Sequence, residues 1–150
     1  MEKLKPFPTR ISPVRLFADL QVCTTYMAVK KYIKKLSIRS KKKSRMLDVG
    51  CGNQPYRFLF EKPGRRQIEY VPMDWDGAEQ GFGYQDSQVI HYDGVHFPFQ
   101  DEEFDLVFHT EVAEHVKDVA FFFQECSRVL RGGRIAFYHS FCGKVSLYSL

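Results

Sequence analysis

The chain has 150 residues, of which 44% are hydrophobic and 27% are charged, and its formal net charge is +4. This length and composition are typical of a single folded domain with a buried core. No stretch of about 18 apolar residues occurs, so the sequence predicts no membrane span. The N-terminus also lacks the apolar segment of a signal peptide.

The four cysteines are scattered along the chain, at Cys23, Cys51, Cys126 and Cys142, and none forms a C-x-x-C pair. This pattern argues against a disulfide framework and predicts no metal site. We therefore expect reduced thiols and a cytoplasmic location.

Residues 1–45 are predicted to form an N-terminal arm, a helix and a basic connector, ahead of a core domain over residues 46–150. The helix is predicted over Val14–Leu36, where apolar side chains recur at helical spacing. Basic residues are concentrated from Lys30 to Arg45, which is compatible with a nucleic-acid or anionic-membrane surface. We favour a solvated helix face and a charged linker. No aromatic residues lie among the basic residues of Ser40–Arg45, as a base-stacking surface would require.

Strands and helices then alternate. Apolar runs predict strands over 45–49, 68–73, 89–92, 104–109 and 134–138, and helical patterns predict helices over 56–60 and 118–130. This alternation predicts a doubly wound parallel α/β sheet with right-handed crossovers. In such a sheet, ligands bind beyond the carboxyl ends of the strands.

The first predicted strand runs into a glycine-rich turn, in the sequence Met46-Leu47-Asp48-Val49-Gly50-Cys51-Gly52-Asn53. Gly50 and Gly52 lack Cβ atoms, so the main chain there can adopt conformations closed to other residues and approach a ligand closely. The turn therefore predicts a binding site for a nucleotide-like ligand.

Polar residues also follow the next three strands. Asp74 ends the second strand about 20 residues beyond the turn, the separation expected for a carboxylate that accepts ribose hydroxyls. Asp93-Gly94 follows the third strand, where a carboxylate can accept from an adenine amino group, and His109-Thr110 ends the fourth. The alternative for each aspartate is a turn or helix-cap residue.

Two nucleotide-binding motifs are excluded. A dinucleotide fingerprint needs a third glycine, and Pro55 occupies that position. No G-K-[ST] sequence closes the turn, so it is not a P-loop.

The motifs together resemble those of the class I S-adenosylmethionine-dependent methyltransferases, in particular the methyltransferase-11-like group, from about Met46 to Ser140. "LDVGCG" is similar to the first motif of the group, "FPFQDEEFDLVFHTEVAEHV" to its strand-four block, and "ECSRVLRGGRIAF" to its helix, Gly-Gly and strand-five block. Phe97 stands where the strand-four block usually has leucine. The resemblance implies a Rossmann-like fold and S-adenosyl-L-methionine as the cofactor.

The resemblance also implies roles for single positions. It assigns the methionine part of the cofactor to Asp48, Gly50 and Gly52, the ribose to Asp74, and the adenine edge to Asp93 and Gly94. Backbone groups of His109 and Thr110 would approach the methionine moiety, and Glu111, Glu114 and His115 would face or brace the cleft.

Methyl transfer depends mainly on alignment of acceptor, methyl group and sulfur. An oxygen or nitrogen acceptor can also need a general base. His109, His115 and His139 are the candidates, because histidine titrates near pH 7. The alternative for each is a structural role in strand-end packing or at the start of a helix.

Members of this group usually continue past strand five. The resemblance implies the order 3-2-1-4-5, with strands six and seven missing and strand five left as an exposed edge. We therefore expect either a fragment or truncated gene product, or an edge that is covered by a second copy or another chain.

Two functions remain. The first is methyl transfer to a small-molecule acceptor, and the second is an inactive cofactor-binding or partner subunit. A nucleic-acid substrate is disfavoured, because His109-Thr110-Glu111-Val112 replaces the Asn/Asp-Pro-Pro-Tyr type of motif used on base amino groups.

Overall fold

The computed structural model describes residues 44–61, 68–78, 86–132, 135–139 and 144–148, together with residues 27, 30, 80 and 83, and for 135–139 and 144–148 it describes the main chain alone. Met27 and Lys30 are helical. The rest of the predicted N-terminal arm, helix and connector lies outside the described residues, apart from the start of the first strand.

Six strands and two helices are defined within these residues. The strands are β1 (Ser44–Val49), β2 (Ile68–Trp75), β3 (Ile90–Tyr92), β4 (Leu106–Thr110), β5 (Ile135–His139) and β6 (Lys144–Tyr148), and the helices are α1 (Arg57–Phe60) and α2 (Val119–Arg128).

The strands form one sheet in the order β3-β2-β1-β4-β5-β6. The first five are parallel to their neighbours, which confirms the predicted order 3-2-1-4-5 and the doubly wound class. Because chain order reverses beside β1, the carboxyl ends of β1 and β4 flank the crevice in which this architecture binds ligands.

The prediction that β5 is an exposed edge with no strand after it was wrong. β6 pairs antiparallel with β5, with His139 opposite Lys144 and Ile135 opposite Tyr148. Only residues 140–143 join the two strands, and so short a connection permits antiparallel pairing alone. The β5 edge is therefore covered by this chain itself, and the second copy or partner chain proposed for that edge is not needed there.

The two faces of the sheet carry separate cores. Side chains alternate along each strand, so Leu47 and Val49 face one way and Met46 the other. On one face the strands pack against α2 and the loop before β4 through Phe97, Phe104, Phe122, Cys126, Val129 and Leu130. On the other face they pack against α1 and the residue before it through Tyr56 and Phe60.

Helix α2 begins where the sequence predicts. The Asp118 side chain accepts a hydrogen bond from the Phe121 amide at 2.9 Å, which satisfies one of the free donors of the first turn. Phe122 and Cys126, one turn apart, are buried against the sheet, as expected for the apolar stripe of a surface helix.

Candidate functional site

The segment after β1, which we call the glycine loop (residues 50–54), is attached to β2 through the main chain. The Gly50 and Cys51 amides both donate to the carbonyl oxygen of Met73, at 2.9 and 3.1 Å. Gly50 and Gly52 have φ values of +66° and +49°, in the left-handed region that favours glycine. The loop therefore turns sharply over the end of β2.

The two glycines have different surroundings. A Cβ atom on Gly50 would lie 2.3 Å from Cγ2 of Val112, in the segment after β4, whereas a Cβ on Gly52 would meet nothing within 4 Å. Gly50 thus permits close packing between two strand-end segments, whereas the space beside the Cα atom of Gly52 is open. Contact between this main chain and a ligand stays a prediction.

Asp74 lies beside Gly52. Its side chain is buried, and Oδ2 accepts a hydrogen bond from the Gly52 amide at 3.0 Å. Oδ1 accepts from the Trp75 amide at 2.9 Å. The structure therefore brings Asp74 and Gly52, predicted separately from two strand ends, into direct contact.

Asp48 is buried on the α1 face of the sheet, and its carboxylate accepts a hydrogen bond from the Tyr70 hydroxyl group. Burial raises the pKa of Asp48 to about 7, the hydrogen bond from Tyr70 opposes that rise, and the charge of Asp74 adds to it. Burial also raises the pKa of Tyr70. Asp48 consequently changes its charge near neutral pH, unlike an ordinary aspartate.

Asp93 occupies the turn after β3. Its Oδ1 accepts from the Val95 and His96 amides at 2.8 and 2.7 Å, and Oδ2 lies 3.2 Å from Nδ1 of His96. These hydrogen bonds, first those from the His96 and Val95 amides, lower the pKa of Asp93. The geometry agrees with the turn-residue alternative, in which Gly94 adopts a φ of +81°. A contact of Asp93 or Gly94 with adenine stays a prediction.

His109 is 1% exposed, and its ring packs edge-on against Phe122 and Phe123. Burial lowers its pKa to about 4, and the charge of Glu114 opposes that shift. The ring is therefore neutral at pH 7 and packed in the α2 core, so the geometry favours the structural alternative over a general-base role. Main-chain groups of His109 and Thr110 still lie at the end of β4.

The remaining predicted residues follow β4 or lie on β5. Glu111 has a φ of +56°, so the chain turns sharply directly after β4. Glu114 and His115 are exposed, and the His115 amide donates to the Val112 carbonyl at 2.9 Å. His139 lies on β5, and its side chain is outside the described residues.

One polar group of the glycine loop had no signal in the sequence. Gln54 contacts both Asp86, in the segment before β3, and Arg57, in α1. The glutamine stands between the glycine pair and Pro55 without any spacing that marks a function.

A second missed group connects α2 to the loop before β4. Glu125 is buried, its Oε1 and Oε2 accept from Nε and Nη2 of Arg128 at 2.6 and 2.8 Å, and Oε2 also accepts from the Phe97 amide at 2.8 Å. Arg128 in turn donates to the carbonyl oxygens of Phe97 and Phe99. The spacing of three residues between an acid and an arginine on one helix was the available signal.

The basic stretch before the core also acquires a structural role at its end. Arg45 forms ion pairs with Glu69 and Glu103 at 3.0 and 2.5 Å, and its guanidinium lies 5.0 Å from the ring centre of Phe104. Arg45 thus ties β1 to β2 and to the segment before β4.

A cavity of about 750 Å³ lies beside the segment before β4. It is lined by Phe97, Pro98, Phe99, Gln100 and Glu103, none of which belongs to the glycine loop or the β2 end.

Within the described ranges, no group of three His, Cys, Asp or Glu side chains is placed to hold a metal ion. No helix in that part of the chain is both long and apolar enough to traverse a membrane. Cys51 and Cys126 are buried free thiols.

Known proteins share this sequence pattern. The family described as "Methyltransferase domain" matches residues 47–137. The ubiquinone biosynthesis O-methyltransferase of Rhizobium johnstonii is 30% identical over 146 residues, which cover 90% of this chain and 54% of that protein. The demethylmenaquinone methyltransferase of Staphylococcus carnosus is 28% identical over 106 residues, which cover 67% of this chain and 44% of that protein. The chain thus spans about half the length of these curated relatives.

The fold comparison agrees with the sequence comparison. The crystal structure of the CurJ carbon methyltransferase matches 86% of this chain and 42% of its own, with a TM-score of 0.61 and 19% identity. At this identity, the likeness concerns the fold. The resemblance read from the glycine-rich turn and the two later blocks is confirmed, and the chain belongs to the S-adenosylmethionine-dependent methyltransferase family.

Proposed function

We propose that the chain binds S-adenosylmethionine at the carboxyl ends of β1 to β4 and transfers its methyl group to a small-molecule acceptor. The bond from the Gly52 amide to Asp74 carries the proposal. It sets a buried carboxylate beside a glycine whose Cα has open space next to it, close to the point where strand order reverses.

The residues present fit the chemistry of this cofactor. A carboxylate accepts up to about four hydrogen bonds, so the two main-chain donors on Asp74 are compatible with ribose hydroxyls as further donors. We assign the methionine end to Asp48, Gly50 and Gly52, together with main-chain groups of His109 and Thr110. The adenine edge is assigned to the Asp93-Gly94 turn.

When bound, S-adenosylmethionine supplies a reactive methyl group on a positively charged sulfur. The chain has to hold the donor and the acceptor in line and keep them aligned. Val112, packed against Gly50, fixes the segment after β4 relative to the glycine loop. This packing keeps the two sides of the crevice in one arrangement.

Methylation of a hydroxyl group also releases a proton. Of the three candidate histidines, His109 is enclosed by phenylalanines, whereas His115 is exposed. We therefore propose His115 as the first residue to test as the proton acceptor.

The names of the relatives support one acceptor class for the first test. Their names refer to ubiquinone biosynthesis and to demethylmenaquinone, so a hydroxylated or quinone-type aromatic ring is the acceptor we propose to test first.

The buried free thiols Cys51 and Cys126 are consistent with the reducing, cytoplasmic location expected from the cysteine pattern.

Calorimetric titration of the full chain with S-adenosylmethionine and S-adenosylhomocysteine tests binding. Asp74→Asn should weaken binding about 10-fold or more, because hydrogen bonds to a charged carboxylate contribute about 1.5–3 kcal/mol. Trp75, the only tryptophan of the chain and 49% exposed, provides a second readout through its fluorescence.

Asp101→Asn is the matched control, because its carboxylate contacts Arg128 on the surface and lies outside the proposed site. Equal affinity of the wild type and Asp74→Asn would contradict the ribose assignment. Methyl transfer is then measured as S-adenosylhomocysteine formed with a panel of hydroxylated aromatic compounds, and no turnover on the panel would contradict the proposed acceptor class.

A further inference from the structure

Gln54 has an unusual main-chain conformation for its residue type. Its φ is +55°, in the left-handed region where a residue with a Cβ atom is less stable than glycine. Its amide donates to the Cys51 carbonyl at 2.8 Å, and its carbonyl accepts from the Arg57 amide at 3.2 Å. A glycine would make the same main-chain bonds without the steric cost.

The Gln54 side chain uses both ends of its amide group. Nε2 donates to Oδ2 of Asp86 at 2.7 Å, and Oε1 accepts from Nη1 of Arg57 at 2.9 Å. Nη1 of Arg57 also lies 3.8 Å from Oδ2 of Asp86. The glutamine therefore connects α1 and the segment before β3 to the glycine loop.

Asp86 also binds the main chain of the residues directly before β3. Its Oδ1 accepts from the Gln88 amide at 2.9 Å, and its carbonyl accepts from the Val89 amide at 3.1 Å. β3 begins at the next residue. The contact thus joins the segment after β1, whose Gly52 amide binds Asp74, to the segment between β2 and β3.

We propose that Gln54 is a positioning residue whose side-chain amide holds the segment before β3 against the glycine loop and so fixes one wall of the cofactor site. The inference deepens the proposed function and rests on it. The left-handed conformation is retained because glycine, which would relieve it, has no side chain to make this connection.

Replacement of Gln54 separates the two effects. Gln54→Gly should leave Tm within about 2 °C of the wild type, because relief of the main chain is offset by loss of the two side-chain hydrogen bonds. The same variant should weaken S-adenosylmethionine binding about 10-fold, with most of the change in the dissociation rate. Asp86→Ala breaks the contact from its other end and should weaken binding by a similar factor without raising Tm.

Glu102 provides the matched control, because it has the same left-handed conformation, with a φ of +56°, in the turn before β4. Glu102→Gly relieves the main chain without removing such side-chain bonds, so it should raise Tm by about 2–4 °C and leave the dissociation constant unchanged. If Gln54→Gly binds as the wild type does, or if Asp86→Ala does, the proposal is overturned.

A reversed pair tests the contact itself. Gln54→Glu alone places two carboxylates together and should weaken binding, whereas Gln54→Glu combined with Asp86→Asn lets the new amide donate to the new carboxylate and should restore affinity to within about threefold of the wild type. A double variant as weak as the single one would contradict the proposal.

Hydrogen exchange distinguishes failure of this inference from failure of the proposed function. In protein without cofactor, Gln54→Gly should speed exchange of the Gln88 and Val89 amides at least about 10-fold, while Glu102→Gly leaves them unchanged. A wild type that does not bind S-adenosylmethionine refutes the proposed function, and unchanged exchange refutes the positioning role of Gln54.

Discussion

The Tyr70 hydroxyl group on β2 donates a hydrogen bond to the carboxylate of Asp48 on the adjacent strand β1. Both side chains are buried, and Arg57 lies over the Tyr70 ring at 5.4 Å from its centre. The carboxylate thus has a hydroxyl donor, with the charge of Asp74 and the Cys51 thiol nearby. The pair places a group that titrates near neutral pH two residues before the start of the glycine loop.

The stability of the fold should depend on pH through Asp48. Its pKa is about 7 in the folded chain and about 4 when unfolded, so the folded state binds the extra proton. The contribution of Asp48 to the free energy of unfolding is fully present below pH 4 and is lost as pH rises through 7. Relative to Asp48→Asn, the wild type should lose about 2–3 kcal/mol of unfolding free energy between pH 5 and 8.

Urea denaturation at each pH measures this difference. Tyr70→Phe is the informative second variant, because loss of its hydrogen bond should raise the pKa of Asp48 further and move the decline to higher pH. A constant difference between the wild type and Asp48→Asn across this range would show that Asp48 is not the titrating group.

His109 should have the opposite pH dependence. Its pKa is about 4 in the folded chain and about 6.5 when unfolded, so the unfolded state binds the extra proton. The contribution of His109 is present above pH 6.5 and is lost as pH falls towards 4. Relative to His109→Phe, the wild type should lose about 2 kcal/mol between pH 7 and 5.

The same variant bears on catalysis. Phenylalanine fits the chemical character of a site lined by Phe122 and Phe123, so His109→Phe should fold and keep the pH profile of kcat. A kcat that falls by two orders of magnitude or more, with unchanged cofactor affinity, would instead identify His109 as a general base.

The two loop glycines should respond differently to alanine. Gly50→Ala should destabilise the fold by about 2–4 kcal/mol, because it combines a left-handed conformation with a clash against Val112. Gly52→Ala adds a Cβ in open space and should cost only about 1 kcal/mol of stability, yet weaken cofactor binding.

Denaturation and calorimetry on both variants test this contrast. Gly50→Ala combined with Val112→Ala should recover part of the lost stability, since the clash is removed and the main-chain cost remains. If the second substitution recovers nothing, the close approach of Val112 is not the source of the effect.

Arg128 should contribute strongly to stability. It pairs with the buried Glu125 and donates to the main chain before β4, so Arg128→Ala leaves a buried carboxylate without its guanidinium. The expected loss is about 2–3 kcal/mol, reduced by the partial exposure of Arg128. Arg131→Ala, at a more exposed arginine, should cost less than about 1 kcal/mol.

The combination of Arg128→Ala with Glu125→Gln completes a double-mutant cycle for the pair. The second substitution removes the unpaired charge, so the double variant should be more stable than the sum of the two single losses predicts. Strict additivity would mean that the two side chains act independently.

The features that local sequence determines were predicted from the chain alone. Apolar runs and helical spacing define the alternating elements, Asp118 defines the start of α2, and the glycine-rich turn with Asp74 marks the strand ends that meet at the crevice. These follow from residue type and spacing, because backbone preference and side-chain periodicity act over a few residues.

The tertiary structure decided the rest. The pairing of β6 with β5, the burial of His109 among phenylalanines, and the contact from Gln54 to Asp86 each depend on groups distant in sequence or on which face of the sheet a side chain meets. The sequence by itself determined which residues reach the ends of the strands. Only the packed fold decided which of them contact one another and which are removed from water, because solvent exclusion and hydrogen-bond geometry arise when distant segments are brought together.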